Sequence, residues 1–120
     1  MTGPTTTYIL AEERHITLDG SGEGWIDGVG PTQYGEEWHI SATQCVVDNS
    51  SAESRLKVYI NGKTRVVEGT YSGNQDNSNT TFHLRSGEKL YYQFTGGTPG
   101  AFASIVLSGE RIVKGYRAGY

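Results

Sequence analysis

Apolar side chains recur at every second position along most of this chain, the spacing of strands that bury one face. The clearest run is Leu56, Val58 and Ile60, which alternate with Lys57 and Tyr59 and are followed by Asn61-Gly62. Asn-Gly is the pair a two-residue type I′ turn prefers, because both central positions need positive φ. A return strand carrying Val66 and Val67 completes a predicted hairpin over residues 55–70. Upstream, Trp38, Ile40, Ala42 and Val46 share one parity broken only by Gln44, while His39, Ser41 and Thr43 share the other. With Cys45-Val46-Val47 at its end, this segment predicts a central strand over residues 37–48 whose Trp38 parity faces the core.

The flanking segments are weaker but of the same kind. Tyr8, Leu10, Ile16 and Leu18 fall on one parity with the polar Glu12 and Arg14 between them, which predicts an edge strand broken by a bend or bulge. Trp25, Ile26 and Val29 make a short strand interrupted by Asp27-Gly28 and closed by Gly30-Pro31. Phe82 and Leu84, then Leu90, Tyr92 and Phe94, then Ala101, Ala103, Ile105 and Leu107, and finally Ile112-Val113 supply the rest, with glycine-containing breaks between them. Residues 69–79 hold too few apolar side chains to bury anything and predict an exposed connection.

Eight or nine short strands, with no helical period sustained over more than about two turns, are the pattern of a sandwich or barrel. The expected fold is all-β, an antiparallel β-sandwich of about eight strands, jelly-roll-like, over residues 7–114. Residues 1–6, with Gly3, Pro4 and several threonines, are expected to form a flexible arm, and residues 115–120 a tail.

Composition narrows the picture. The 120 residues include 17 glycines and 8 tyrosines, which suits strands joined by tight turns, and suffice for one modest core. Ten basic and thirteen acidic residues give a net charge of -3 without a basic block, so neither nucleic acid nor an anionic membrane is an expected partner. The segment Met-Thr-Gly-Pro-Thr-Thr-Thr has no basic start or apolar stretch, so no leader is expected. Cys45 is the single cysteine, which excludes an internal disulfide, and its apolar setting predicts a buried, inert thiol.

Candidate chemistry is sparse. His15, His39 and His83 lie singly on strands without a paired ligand spacing, and no metal or other cofactor is predicted from them. Asn74, Asp76 and Ser78 alternate oxygen-bearing side chains but offer a single carboxylate, too little for calcium, and read as turn-formers. Glu12-Glu13 and Glu36-Glu37 are adjacent pairs, and neighbours on a strand point to opposite faces, so neither is a glycosidase dyad. No catalytic residue is predicted, and the chain is read as a non-enzyme. Trp25, Tyr34 and Tyr71 are the candidates for stacking against sugar rings, whereas Trp38 and Tyr92 share parity with core positions. Tyr91 points outward and, with Tyr116, Arg117 and Tyr120 of the C-terminal segment, is a candidate for contact with a neighbouring subunit.

The segments Gly69-Thr-Tyr-Ser-Gly-Asn-Gln-Asp-Asn-Ser, Leu84-Arg-Ser-Gly-Glu-Lys-Leu and Phe94-Thr-Gly-Gly-Thr-Pro-Gly-Ala-Phe-Ala resemble small β-sandwich virion proteins of tailed phages of actinobacterial hosts, over roughly residues 36–113. The resemblance implies a structural virion protein that sits on a capsid or tail; the expected role is to decorate or cement the capsid surface, the chain being synthesised in the host cytoplasm. Its implied partners are the major capsid or tail proteins and copies of itself in a symmetric oligomer, with a trimer at local threefold positions as the expected form. The alternative is a carbohydrate-binding receptor module of a tail tip or fibre. The matched motifs are structural and carry no catalytic residue.

Overall fold

Nine antiparallel strands build two sheets in the computed structural model, which describes residues 2–48, 54–72 and 75–116. They are β1 (Thr2–Thr17), β2 (Gly24–Val29), β3 (Glu36–Val47), β4 (Arg55–Ile60), β5 (Val66–Ser72), β6 (Gln75–Ser78), β7 (Phe82–Arg85), β8 (Leu90–Thr95) and β9 (Phe102–Tyr116). The first sheet runs β1-β9-β3-β6, with β7 also on β3, and the second runs β2-β8-β4-β5. β6 pairs with residues 43–46 of β3 and β7 with residues 37–40, so the two are halves of one interrupted strand. Taken as one, they leave eight strands whose connections change sheet everywhere except between β4 and β5. That is the jelly-roll path expected from the sequence.

The core lies between the sheets. Leu10, Ile40, Leu84, Ile105 and Leu107 from the first sheet meet Ile26, Val29, Leu56, Val58, Leu90, Tyr92 and Phe94 from the second, all buried. Each such aliphatic or aromatic side chain contributes about 1.5–3 kcal/mol by leaving water. The strands of the second sheet are only six or seven residues long, whereas β1 and β9 have 16 and 15. The β1–β9 ribbon therefore overhangs. It gives the molecule extents of 59 × 22 × 20 Å and a radius of gyration of 16.1 Å, against about 14 Å for a compact chain of this length.

Five sequence expectations are corrected. The inward parity of β3 changes midway: Glu36, Trp38 and Ile40 are buried, then Thr43, Cys45 and Val47, while Val46 is exposed. The cause is a bulge, since Ile40 pairs with Gly109 and Ala42 with Ser108, leaving Ser41 as an extra residue. At the β4–β5 hairpin, Ile60 N donates to Arg65 O, which makes the loop four residues long instead of two. Asn61 keeps its positive φ but stays laced to the neighbouring β8 side, its N–H donating to Lys89 O and its Oδ1 accepting from Lys89 N. This holds the turn open past Asn61.

The polar stretch expected to be a free connection contains β6, whose short ladder to β3 needs no apolar side chain because it lies at the sheet edge. At the N-terminus, β1 takes in residues 2–6: Thr5 and Thr6 pair with Lys114 and Val113, so the β-favouring threonines continue the ladder in place of a free arm. The register of β1 on β9 is unbroken from Thr5 to Thr17, without the anticipated bend. Glu12 and Arg14 are tolerated at the inner parity because β1 is an edge, where they bond each other at 2.6 Å.

Candidate functional site

On the outer face of the first sheet, the bulge at Ser41 leaves Glu37 and His39 side by side in the preceding stretch of β3, two residues apart and on one face. β7 sets His83 directly across from His39. The two imidazole rings meet edge to face with centroids 3.9 Å apart. Glu37 Oε1 lies 3.7 Å from His83 Nε2, while its other oxygen, Oε2, is 3.1 Å from Lys114 Nζ. The hydrogen bond from Lys114 holds the Glu37 carboxyl below its ordinary pKa against the opposing effect of desolvation. One nitrogen of each imidazole and one Glu37 oxygen fall within 4.8 Å of one another. His39 Nε2 is buried and has no hydrogen-bond partner among the described residues. Beside these groups, an open hollow of about 260 Å³ is lined by His39, Ile40, Ser41, Thr81, Phe82 and His83, where the break between β6 and β7 faces the β3 bulge.

The outer face of the second sheet carries a different cluster. Trp25 of β2 packs against Tyr59 of β4 with centroids 5.0 Å apart and ring planes at 50°. Lys63 in the open hairpin loop reaches back over the Trp25 ring at 4.7 Å and pairs with Asp27 at 3.1 Å. Tyr59 donates from its hydroxyl to Gln93 Oε1 at 2.8 Å, and Tyr91 lies opposite Tyr59 in the register. The third feature is the free side of β1, which pairs with β9 alone among the described strands. There Ile9 is 89% exposed and Tyr8 46% exposed, the latter beneath the Arg111 guanidinium at 4.5 Å.

The residues singled out from sequence are scattered by the fold. Trp25 joins Tyr59 and Lys63, while Tyr34 stands in the turn before β3, 83% exposed. Tyr91 is half-buried on the second sheet's outer face. The backbones of Tyr71 and Tyr116 belong to β5 and β9. The side chains of Tyr71 and Tyr116, and Arg117 and Tyr120 entirely, lie outside the described residues. Glu36 and Glu37 do point to opposite faces: Glu36 is buried against Arg111 at 3.1 Å, and Glu37 meets Lys114 outside. Asp76 sits in β6, its Oδ1 accepting from the Asn77 N–H. Cys45 is buried, and desolvation raises its thiol to about 11.

Sequence reading missed the His39–His83 pair and the partnership of Trp25 with Tyr59. Both depend on which strands become neighbours and in which register, information carried by long-range pairing and absent from local spacing. The outward parity of Tyr59 was the one visible sign.

Fold and surface together define a jelly-roll β-sandwich module with an overhanging two-stranded ribbon. Comparison with models of known protein families, with characterised proteins and with solved structures found no match to this chain.

Proposed function

We propose that this chain is a non-enzymatic assembly module, a structural protein of a phage virion that decorates or cements the capsid surface as a symmetric oligomer. The observation that carries the assembly reading is the unguarded half of the β1 edge. Sheet edges that stay single are protected by charges, prolines or bulges. β1 has such protection at Glu12, Glu13 and Arg14, but residues 5–10, Thr-Thr-Thr-Tyr-Ile-Leu, offer no charge and no proline and expose Ile9 almost completely. An edge of that composition suits pairing with another strand, and its outer part, beyond the buried Leu10, runs along the overhanging end of the ribbon. The virion assignment rests on the resemblance of the residue 69–78, 84–90 and 94–103 segments to phage β-sandwich proteins, and the jelly roll is an architecture that capsid proteins use.

Two measurements test this. Native mass determination of the purified chain is expected to give a symmetric oligomer that Ile9→Lys dissociates into folded monomers; a monomer at all accessible concentrations rejects the edge as an interface. Quantitative mass spectrometry of phage particles encoding the chain is expected to find it in hundreds of copies. A few copies per particle would move it to the tail, and absence would reject the virion reading.

The Trp25–Tyr59 cluster favours a second reading, a carbohydrate-binding receptor module of a tail tip or fibre. Aromatic faces with a neighbouring amide, here Gln93, are what sugar rings stack on and bond to. That reading predicts binding to host-wall glycans that Trp25→Ala abolishes. No binding at millimolar sugar rejects it.

A further inference from the structure

We infer that Glu37, His39 and His83 form a binding site for a divalent first-row transition-metal ion, with Zn2+ as its best-fitting occupant, on the outer face of the first sheet. Two imidazoles and one carboxylate are a donor set that such ions favour, and one that hard cations such as Mg2+ do not. The fold places them without help from flexible loops. Glu37 and His39 share a face because they are two apart on β3, and His83 faces His39 across a ladder pair.

Geometry is close to what an ion requires. Ligand atoms on one tetrahedral ion with bonds of about 2.0–2.1 Å stand about 3.4 Å apart. Glu37 Oε1 and His83 Nε2 are already 3.7 Å apart, and the whole donor set falls within 4.8 Å, so side-chain rotation alone closes the remainder.

Two observations besides proximity point to a ligand. His39 Nε2 is buried and lacks a hydrogen-bond partner among the described residues, a cost that coordination of its lone pair would remove. The hollow beside His39 and His83 leaves space for a further ligand, which three protein donors require to complete four-coordination. Lys114 does not block the arrangement, because it holds Glu37 Oε2 and leaves Oε1 directed at His83. Such a second partner on the far oxygen is how metal-binding side chains are commonly oriented. The other charged residues nearby in the register are Arg85, opposite Glu37, and Glu110, opposite His39, so the charges around the site balance.

An ion here would clamp β7 onto β3. β7 is four residues long and, among the described strands, pairs with β3 alone, so the site ties down one of the two short segments at that edge of the first sheet. This inference does not depend on the assembly role proposed above.

The test is isothermal calorimetry of the full chain, stripped with chelator and titrated with Zn2+ alone, alongside thermal melts. One ion per chain is expected, with a raised melting temperature that Mg2+ at the same concentration does not produce. His83→Gln and Glu37→Gln alter only side chains on the outer face, and each is expected to weaken Zn2+ binding at least about tenfold while keeping the wild-type circular dichroism. His15→Gln, remote from the cluster, is expected to leave binding unchanged. Long-range nitrogen–proton NMR spectra should show Zn2+ shifting the ring nitrogens of His39 and His83 and not those of His15. Absence of saturable binding, or binding that His83→Gln and Glu37→Gln leave intact, overturns the inference.

Discussion

Gly109 lies directly under the His39 carbonyl: a Cβ on Gly109 would come within 2.0 Å of His39 O. This close approach of β9 to β3 is where Ser41 bulges out and the inward parity of β3 changes. The bulge puts both halves of β3 to use, with Trp38 and Ile40 buried before it and Cys45 and Val47 after it. It also borders the hollow next to the histidine pair. Gly109→Ala is expected to push the two strands apart and destabilise the domain by about 1–3 kcal/mol, the usual cost of forcing atoms into a filled space. Urea unfolding measures it, and a change below about 0.5 kcal/mol, the range of an uninvolved surface site, would show that the backbone relaxes freely.

Arg111 is the only cation recorded against the buried Glu36 carboxylate among the described residues, at 3.1 Å. Removing it strands a charge in the overhang between the β1–β9 ribbon and β3. Arg111→Met is expected to cost about 1.5–3 kcal/mol, the range for a hydrogen bond to a charged group, because Glu36 is desolvated while Arg111 is still partly in water. The double variant Arg111→Met/Glu36→Gln should recover part of the loss, since it removes the stranded charge as well. No recovery in denaturant unfolding would mean that Arg111 acts through its packing on Tyr8.

Ile9 and Leu10 are consecutive on β1, yet one is 89% exposed and the other 2%. Leu10→Ala should cost about 2–5 kcal/mol as a core truncation, whereas Ile9→Ala in the monomeric form should stay within about 0.5 kcal/mol. Thermal unfolding of the two variants checks the register of β1 on β9. Equal effects would mean that the strand is set one residue off.

The Cys45 thiol, raised by burial from 9.0 to about 11, should resist alkylation in the native protein at neutral pH and react at the ordinary rate once the chain is unfolded. The same shift fixes a sign for stability. The folded state holds its proton more tightly than the unfolded state, so the contribution of Cys45 is complete below pH 9.0 and falls as pH rises toward about 11. The stability difference between wild type and Cys45→Ala should be flat through neutrality and shrink across that alkaline window. A difference independent of pH would place the thiol in contact with water.

Much of the architecture was legible because period-two burial is a local property. Leu56, Val58, Leu90, Tyr92, Phe94, Ala103, Ile105 and Leu107 all bury on the parity their spacing shows. The hairpin between β4 and β5 also formed at Asn61-Gly62, though Lys89, just before β8, stretched its turn. β6 escaped notice because an edge ladder is held by backbone hydrogen bonds and leaves no apolar signature.

The sequence by itself determined an all-β sandwich and the core-facing residues of its regular strands, since alternation and turn chemistry act between residues close along the chain. Which strands became neighbours, and in which register, was decided by the tertiary structure alone. That pairing turned the parity of β3 at Ser41, brought Lys63 over Trp25, and set His83 of β7 against His39 of β3 with Glu37 alongside. The physical reason is that strand pairing is specified by the summed burial of whole faces and by bulges such as that at Ser41, and these are properties of the assembled sheets.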